Sequence, residues 1–368
     1  MKLKVCIIGS GNGALAAAAD LTLQGHQVNF YVNDQYRNRL KSLFLEKTIQ
    51  LDGVGATGKA TLNKVTSNID EALEDVDLIM PVLPAYTIAK LAEELADHLK
   101  PDARILLAPG STGGALIMAR KLYEKLGNHQ IRVSEIHSLP YAARSNGEQN
   151  EALILLECKK LYFATFPSKY NDEMAELTRH IYPSIEPVRD VLESSLNNGN
   201  PVSHPAPVVL NAGKIEYFNG EHYHYREGIT PSVARVNERV DKERLSICKA
   251  LGYKGIPAVE RLYEMGYAPK RETLYECYRD SNAFNPLKGP SSLKDRYLVE
   301  DTKCSLVALA SLGDALGIET PVMDSVIVLA SALNDEDYYQ TGCTVQDWGL
   351  EGKNLGEIKT FLQEGYNG

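Results

Sequence analysis

Lys4-Val5-Cys6-Ile7-Ile8-Gly9-Ser10-Gly11-Asn12-Gly13-Ala14 is the stretch that decides the fold. Lys4–Ile8 reads as a buried strand, a glycine-rich turn follows at once, and residues 13–24 form an alanine-rich helix stopped by Gly25. Residues 27–32 return as a second strand, so the turn lies inside one strand–helix–strand unit. That is the setting in which a G-x-G-x-x-G/A run holds a dinucleotide. Gly9 allows the tight turn and Gly11 lets the backbone approach a pyrophosphate. Small Ala14 lets helix and strand pack closely, while helix N–H groups face the phosphates. Gly9, Ser10, Gly11, Asn12, Gly13 and Ala14 are therefore the expected cofactor-binding turn.

Further along, 77–82, 104–108 and 132–136 repeat the strand signal, with helices between them at about 86–99 and 112–126. Two more strands are expected at 151–156 and 160–165. Such alternation builds a parallel sheet covered on both faces. From about residue 190 the pattern changes to long helical segments with clear caps. Thr230-Pro231 places a capping hydroxyl before a proline at the first helical position, and the amphipathic stretch runs to Leu251 before Gly252 stops it. Thr320-Pro321 repeats the device. Residues 278–295, with Asn285-Pro286 and Gly289-Pro290, read as a long loop. The expected fold is an α/β Rossmann-type dinucleotide-binding domain over residues 1–187, followed by an all-α C-terminal domain over residues 188–368.

The chain has 368 residues, with 39 Lys+Arg against 48 Asp+Glu, a formal charge of −9. That balance argues against a nucleic-acid or polybasic membrane binder. The longest nearly apolar runs, such as 326–333, are too short to cross a bilayer. Only four apolar residues separate Lys4 from Gly9, too few for a signal peptide, so a cytoplasmic protein is expected. Six cysteines show no paired spacing, which indicates neither a zinc site nor a disulfide framework. His222-Tyr223-His224 puts two imidazoles on one face of a strand, but two ligands make a poor site and no metal is expected.

At the end of the second strand, NAD enzymes usually carry a carboxylate for the ribose hydroxyls, whereas NADP enzymes supply cations for the phosphate. Here the end reads Val32-Asn33-Asp34, followed by Arg37 and Arg39. Val32 fills the acidic position. Asn33 is a candidate cofactor-binding residue and Arg37 can face a 2′-phosphate, while Asp34 stands close enough to serve a ribose. NADP(H) is favoured over NAD(H). Pro81-Val82-Leu83-Pro84 and the run 109–114 each follow a strand, at the carboxyl edge where open α/β sheets bind ligands, so Pro81, Leu83 and Pro84 are expected to border the cofactor. An enzyme reducing C=O or C=N also needs a proton donor, and among eight histidines His204 stands out within the proline-flanked stretch from Asn200 to Pro207.

These residues give the chain its resemblance to the opine dehydrogenases, the octopine and nopaline dehydrogenase group. The resemblance spans nearly the whole chain. It rests on Gly9 to Ala14, on Asn200-Pro201 through His204-Pro205 and Leu210-Asn211, and on Tyr225-Arg226-Glu227-Gly228-Ile229-Thr230-Pro231. It continues through Arg296-Tyr297-Leu298-Val299-Glu300-Asp301 and Thr341-Gly342-Cys343-Thr344. The family implies reductive condensation of an L-amino acid with a 2-oxo acid such as pyruvate, through an imine, to an N-(carboxyalkyl) amino acid. By position, His204 resembles the catalytic acid/base and Asp301 its orienting partner. Arg296 resembles the residue gripping the oxo-acid carboxylate, although Arg296 and Glu300 also read as a surface pair at i, i+4.

Ser138 to Arg144 resembles a first-domain substrate segment in which the family often has threonine first and cysteine sixth. Ser138 keeps the hydroxyl, Ala143 lacks the thiol, and Cys343 stands where the family commonly has arginine. Trp348 receives no role from its position, while Tyr275, Tyr278 and Phe284 flank the long loop as candidate rings for the amino substrate.

Two other readings compete. Ketone reductases of the ketopantoate or glycerol phosphate dehydrogenase type share the two-domain plan but use a catalytic lysine, for which Lys214 is the nearby candidate. A non-catalytic NAD(P)-sensing protein would have no need of His204, Asp301 and Arg296 together. The expected partners are the two substrates, with no nucleic acid and no membrane, and a homodimer is compatible with a helical second domain.

Overall fold

The computed structural model describes residues 1–127 and 130–367. The chain forms two compact units. The first comprises Met1–Gly110, Gly114–Ser194 and the segment from Thr360 onward, and the second Ser111–Gly113 and Ser195–Lys359.

Twelve strands among the described residues belong to the first unit: β1 (Lys4–Ile8), β2 (Gln27–Tyr31), β3 (Thr48–Gly53), β4 (Gly58–Thr61), β5 (Lys64–Thr66), β6 (Leu78–Pro81), β7 (Arg104–Leu107), β8 (Arg132–Ile136), β9 (Tyr141–Asn146), β10 (Glu151–Glu157), β11 (Leu161–Phe166) and β12 (Ile185–Pro187). The main sheet runs β12-β11-β8-β7-β6-β1-β2-β5 and is parallel except where β11 meets β8. Its central strands are apolar on both faces, as burial on both sides requires: Val5, Cys6 and Ile7 are fully buried. A second sheet, β4-β3-β10-β9, was not expected. β10 and β11, read as neighbours in one pattern, separate into different sheets, and β9 begins within the segment from Ser138 to Arg144 and includes Ala143.

The helix α1 (Asn12–Leu23) explains the second sheet. It packs on β1 and β2 and also on β3, β4, β9 and β10, and every residue from Ala14 to Leu21 is buried. An alanine-rich helix suits this place because small side chains let a backbone approach apolar surfaces on two sides. Asp20, buried within it, accepts the Tyr141 hydroxyl of β9 at 2.5 Å. A buried carboxylate needs such donors.

From Thr360 the chain rejoins the first unit. Phe361 and Tyr366 pack on Phe166, and Tyr366 stacks on Tyr123 with centroids 4.4 Å apart. The sequence boundary at 187/188 placed this segment with the helices, because an aromatic return over long sequence distance leaves no local periodicity. No helix among the described residues is long and apolar enough to cross a membrane.

The second unit is helical, with one isolated bridge, Tyr223–Lys288, and no strand among the described residues. Its longest helix, α2 (Pro231–Leu251), begins and ends as the sequence indicates: Thr230 Oγ1 accepts from the Val233 N–H at 3.4 Å and Gly252 terminates it at φ +76°. Arg244, fully buried in α2, donates twice to Asp241 Oδ1 (2.9 and 2.8 Å) and to the Leu196 and Ile256 carbonyls. The helix Pro321–Asn334 departs from expectation. Thr320 does not cap it; Glu243 of α2 instead accepts from the Val322 and Met323 N–H groups at 2.8 and 2.9 Å. Trp348 is fully buried against Gly113 of the same unit.

Candidate active site

In the first unit, β1 and β6 pair side by side, Ile8 opposite Pro81, so the turns that follow them meet at one sheet edge. Gly9 sits at φ +152°, and a Cβ there would lie 2.7 Å from the Val82 carbonyl oxygen and 2.9 Å from Ala14 Cβ. Only glycine fits. At Gly13 an added Cβ would press on the Leu139 side chain at 2.8 Å, a milder constraint that a shift of that side chain relieves. Above Gly11 there is open space, with nothing within 4 Å of an added Cβ, and no side chain caps α1. The first-turn N–H groups are thus presented to an anion, which fits a dinucleotide pyrophosphate. Asn12 is fixed from β9, where the Ser145 hydroxyl donates to its Oδ1 at 2.8 Å, a contact without a sequence signal. Pro81 is buried, while Leu83 and Pro84 are half-buried on the same turn.

Beyond β2, Val32 is fully buried and Asn33 caps a short 3-10 helix, Asp34–Leu40, by accepting from the Gln35 N–H. Arg37 is exposed on that helix, 3.7 Å from Asp34, its guanidinium 4.8 Å from the Phe44 ring. The cation and the rival acidic residue therefore stand together.

In the second unit, Pro201 and Pro205 punctuate two short helical turns and His204 lies between them. Its Nδ1 is 2.7 Å from Asp301 Oδ2, and its Nε2 is 2.7 Å from Tyr225 Oη. Tyr297 stacks on the imidazole, with centroids 3.9 Å apart and planes 4° from parallel. Asp301 also takes a hydrogen bond from Asn200. Burial pushes the imidazolium of His204 down to about 3, helped by the charge of Arg296. Burial pushes the carboxyl of Asp301 up to about 8, against the pull of Arg296 and Asn200. Both shifts favour a pair of zero net charge, in which one proton lies between Nδ1 and Oδ2 and another sits on Nε2. The arrangement is a proton donor held ready.

The motif from Tyr225 to Pro231 gives this centre one contact and holds its own backbone with the others. Tyr225 reaches His204, Glu227 accepts from the Tyr223 N–H at 3.1 Å, the Gly228 carbonyl accepts from Asn211 at 2.9 Å, and Thr230 caps α2.

Comparison with known proteins agrees with this division of labour. Residues 187–334 match the family model described as NAD/NADP octopine/nopaline dehydrogenase, alpha-helical domain, and residues 5–131 match that of ketopantoate reductase PanE/ApbA. An opine dehydrogenase of Arthrobacter sp. (strain 1C) is 34% identical over 357 residues, covering 97% of this chain and 98% of the relative. The chain belongs to the opine dehydrogenase family. An octopine dehydrogenase solved with NADH and L-arginine superposes with a TM-score of 0.76 at 18% identity, covering 98% of each chain. A yersinopine dehydrogenase solved with NADP+ gives 0.71 at 17%, covering 99% and 98%. Opine dehydrogenases are NAD(P)-dependent oxidoreductases acting on CH–NH bonds, and the paired Rossmann-type and helical units are those of the family.

The remaining candidates of this opine dehydrogenase divide. Arg296 is exposed, and its Nε donates to buried Glu300. Its charge acts on both His204 and Asp301. Ser138 is half-buried just beyond β8. Ala143 is 5% exposed and paired with Ile154 inside the second sheet, against which α1 packs, so its side chain meets protein. Lys214, the lysine a ketone reductase would need, is 3.5 Å from Glu227. Tyr278 and Phe284 join the aromatic cluster around Tyr225. Tyr225 and Tyr297 were legible only as members of family stretches, with no chemistry attached.

Proposed function

We propose that the chain condenses an L-amino acid with a 2-oxo acid, pyruvate foremost, and reduces the product to an N-(carboxyalkyl) amino acid, NADPH serving better than NADH. The buried Asp301–His204 pair beside Arg296 carries this reading. Arg296 binds the oxo-acid carboxylate through its planar fork, with Nε anchored by Glu300. The amine adds to the carbonyl carbon, and the resulting hydroxyl leaves as water by taking the Nε2 proton of His204. As that proton departs, the pair becomes Asp301 carboxylate with a neutral imidazole protonated on Nδ1, the tautomer the 2.7 Å contact favours. When bound, the reduced nicotinamide supplies the hydride that adds to the carbon of the C=N bond, whose electron pair passes to nitrogen. Gly9 to Ala14 hold the pyrophosphate, with Pro81, Leu83 and Pro84 bordering the cofactor. Arg37 holds the 2′-phosphate, and Asn33 borders the cofactor at the start of the same short helix. Ser138 contributes a hydroxyl to the substrates, while Ala143 acts through packing.

The test is nicotinamide oxidation with pyruvate and a panel of L-amino acids. Oxidation that needs both substrates supports the reading. Oxidation with the oxo acid alone assigns a ketone reductase, and cofactor binding without turnover across the panel assigns a sensor.

A further inference from the structure

The acid/base nitrogen of His204 faces a phenol. Nε2 lies 2.7 Å from Tyr225 Oη, and His204 and Tyr225 are 7% and 4% exposed. The phenol is fixed from several sides: its ring stacks on Phe284 (4.3 Å, 24°), Phe284 stacks on Tyr267 (4.8 Å, 15°), and Tyr278 lies 5.3 Å away with its own hydroxyl 2.6 Å from Ser203 Oγ. Behind the imidazole, Tyr297 stacks at 3.9 Å and hydrogen-bonds the Tyr225 phenol. Both nitrogens of the imidazole are thus engaged, Nδ1 by Asp301 and Nε2 by Tyr225, and a ring clamped by stacking does not swing to a new partner.

We propose that Tyr225 is the proton relay of His204: the Nε2 proton passes to Tyr225 Oη as the phenol's own proton leaves for the departing hydroxyl of the condensing substrates. In this step the N–H bond of His204 and the O–H bond of Tyr225 break. One O–H bond forms on Tyr225 and one on the leaving water. The net loss is one proton from the Asp301–His204 pair. No tyrosinate accumulates, because burial holds the phenol far above its ordinary range, so the two transfers occur together. Oxidation runs the same relay backwards. The inference rests on the acid/base reading of His204 and adds the group that meets the substrate.

Tyr225→Phe tests it, because the ring and its stacking remain while the hydroxyl goes. Expected in the intact chain is a fall in kcat of about a hundredfold or more, the range general acid catalysis spans, with unchanged cofactor binding. The alkaline limb of the reduction profile moves to lower pH, since the Nε2 proton has lost its acceptor. Tyr338→Phe removes another buried phenol, one that accepts from Asn334 and lies outside this aromatic cluster, and keeps wild-type kcat. Wild-type kcat and pH limb in Tyr225→Phe, or equal losses in both variants, would overturn the relay. A proton inventory on the unmodified enzyme gives a second readout: a bowed dependence on deuterium content means two protons in flight, and a linear one contradicts the relay. His204→Ala, measured alongside, separates the two levels, because retained turnover there removes the acid/base reading itself.

Discussion

Arg296 and Glu300 form an ion pair across one turn of chain in which the carboxylate is 6% and the guanidinium 62% exposed. The surface pair and the proposed substrate clamp are thus compatible readings of Arg296. Glu300, buried and accepting from the Arg296 Nε–H, sets the plane of a cation that the solvent still reaches. Arg296→Lys keeps the charge and loses the fork. We expect KM for the 2-oxo acid to rise about ten- to a hundredfold, as loss of a charge-assisted bidentate contact implies, with KM for the cofactor unchanged. Steady-state kinetics with pyruvate as the varied substrate checks this.

The Asp301–His204 pair fixes the sign of the pH dependence. With the Asp301 carboxyl pushed up to about 8 and His204 down to about 3, the pair stays neutral and carries the Nε2 proton between those limits. Reduction consumes that proton, so its rate falls as pH rises past about 8. Oxidation needs the vacant nitrogen and rises over the same interval. Profiles of kcat in both directions check the prediction, and limbs of the same sense in both would contradict it.

On the proposed reading, the cofactor preference turns on Arg37. Arg37→Ala is expected to weaken NADPH binding about tenfold, the worth of a hydrogen bond to a charged group, and to leave NADH binding alone. Fluorescence titration of the two reduced cofactors measures both. Equal losses for the two would remove the 2′-phosphate assignment.

Arg244 makes the stability prediction. Replacing it with Met strands Asp241 in the interior with the Ala258 N–H at 2.8 Å as its remaining donor. Breaking such a buried pair costs about 3–5 kcal/mol, read as a lowered urea midpoint.

Much of this architecture was legible locally. Gly9 to Ala14 announced its turn because strand, glycine and helix signals are contiguous, and Thr230-Pro231 announced α2 for the same reason. His204 and Asp301 were legible as separate residues of a family pattern. Their pairing at 2.7 Å was legible through that pattern alone, since 97 residues separate them and no local signal links them. The second sheet stayed hidden because β3, β4 and β9 are short, polar at their edges and defined by pairing with distant strands. Glu243 as the cap of the helix Pro321–Asn334, and Tyr225 as the neighbour of His204, are long-range matches of one side chain to another, which periodicity does not encode. Ala143 shows the converse: a position carried over by resemblance lies in a packed ladder.

The central claim is that this enzyme joins nitrogen to carbon. Its most direct test is the mass of the product formed from NADPH, pyruvate and the amino acid that supports oxidation, using amino acid labelled with heavy nitrogen. The account predicts one product that retains the label and has the mass of the two substrates combined, less water and plus two hydrogens. Lactate as the product, with the labelled amino acid recovered intact, would contradict it.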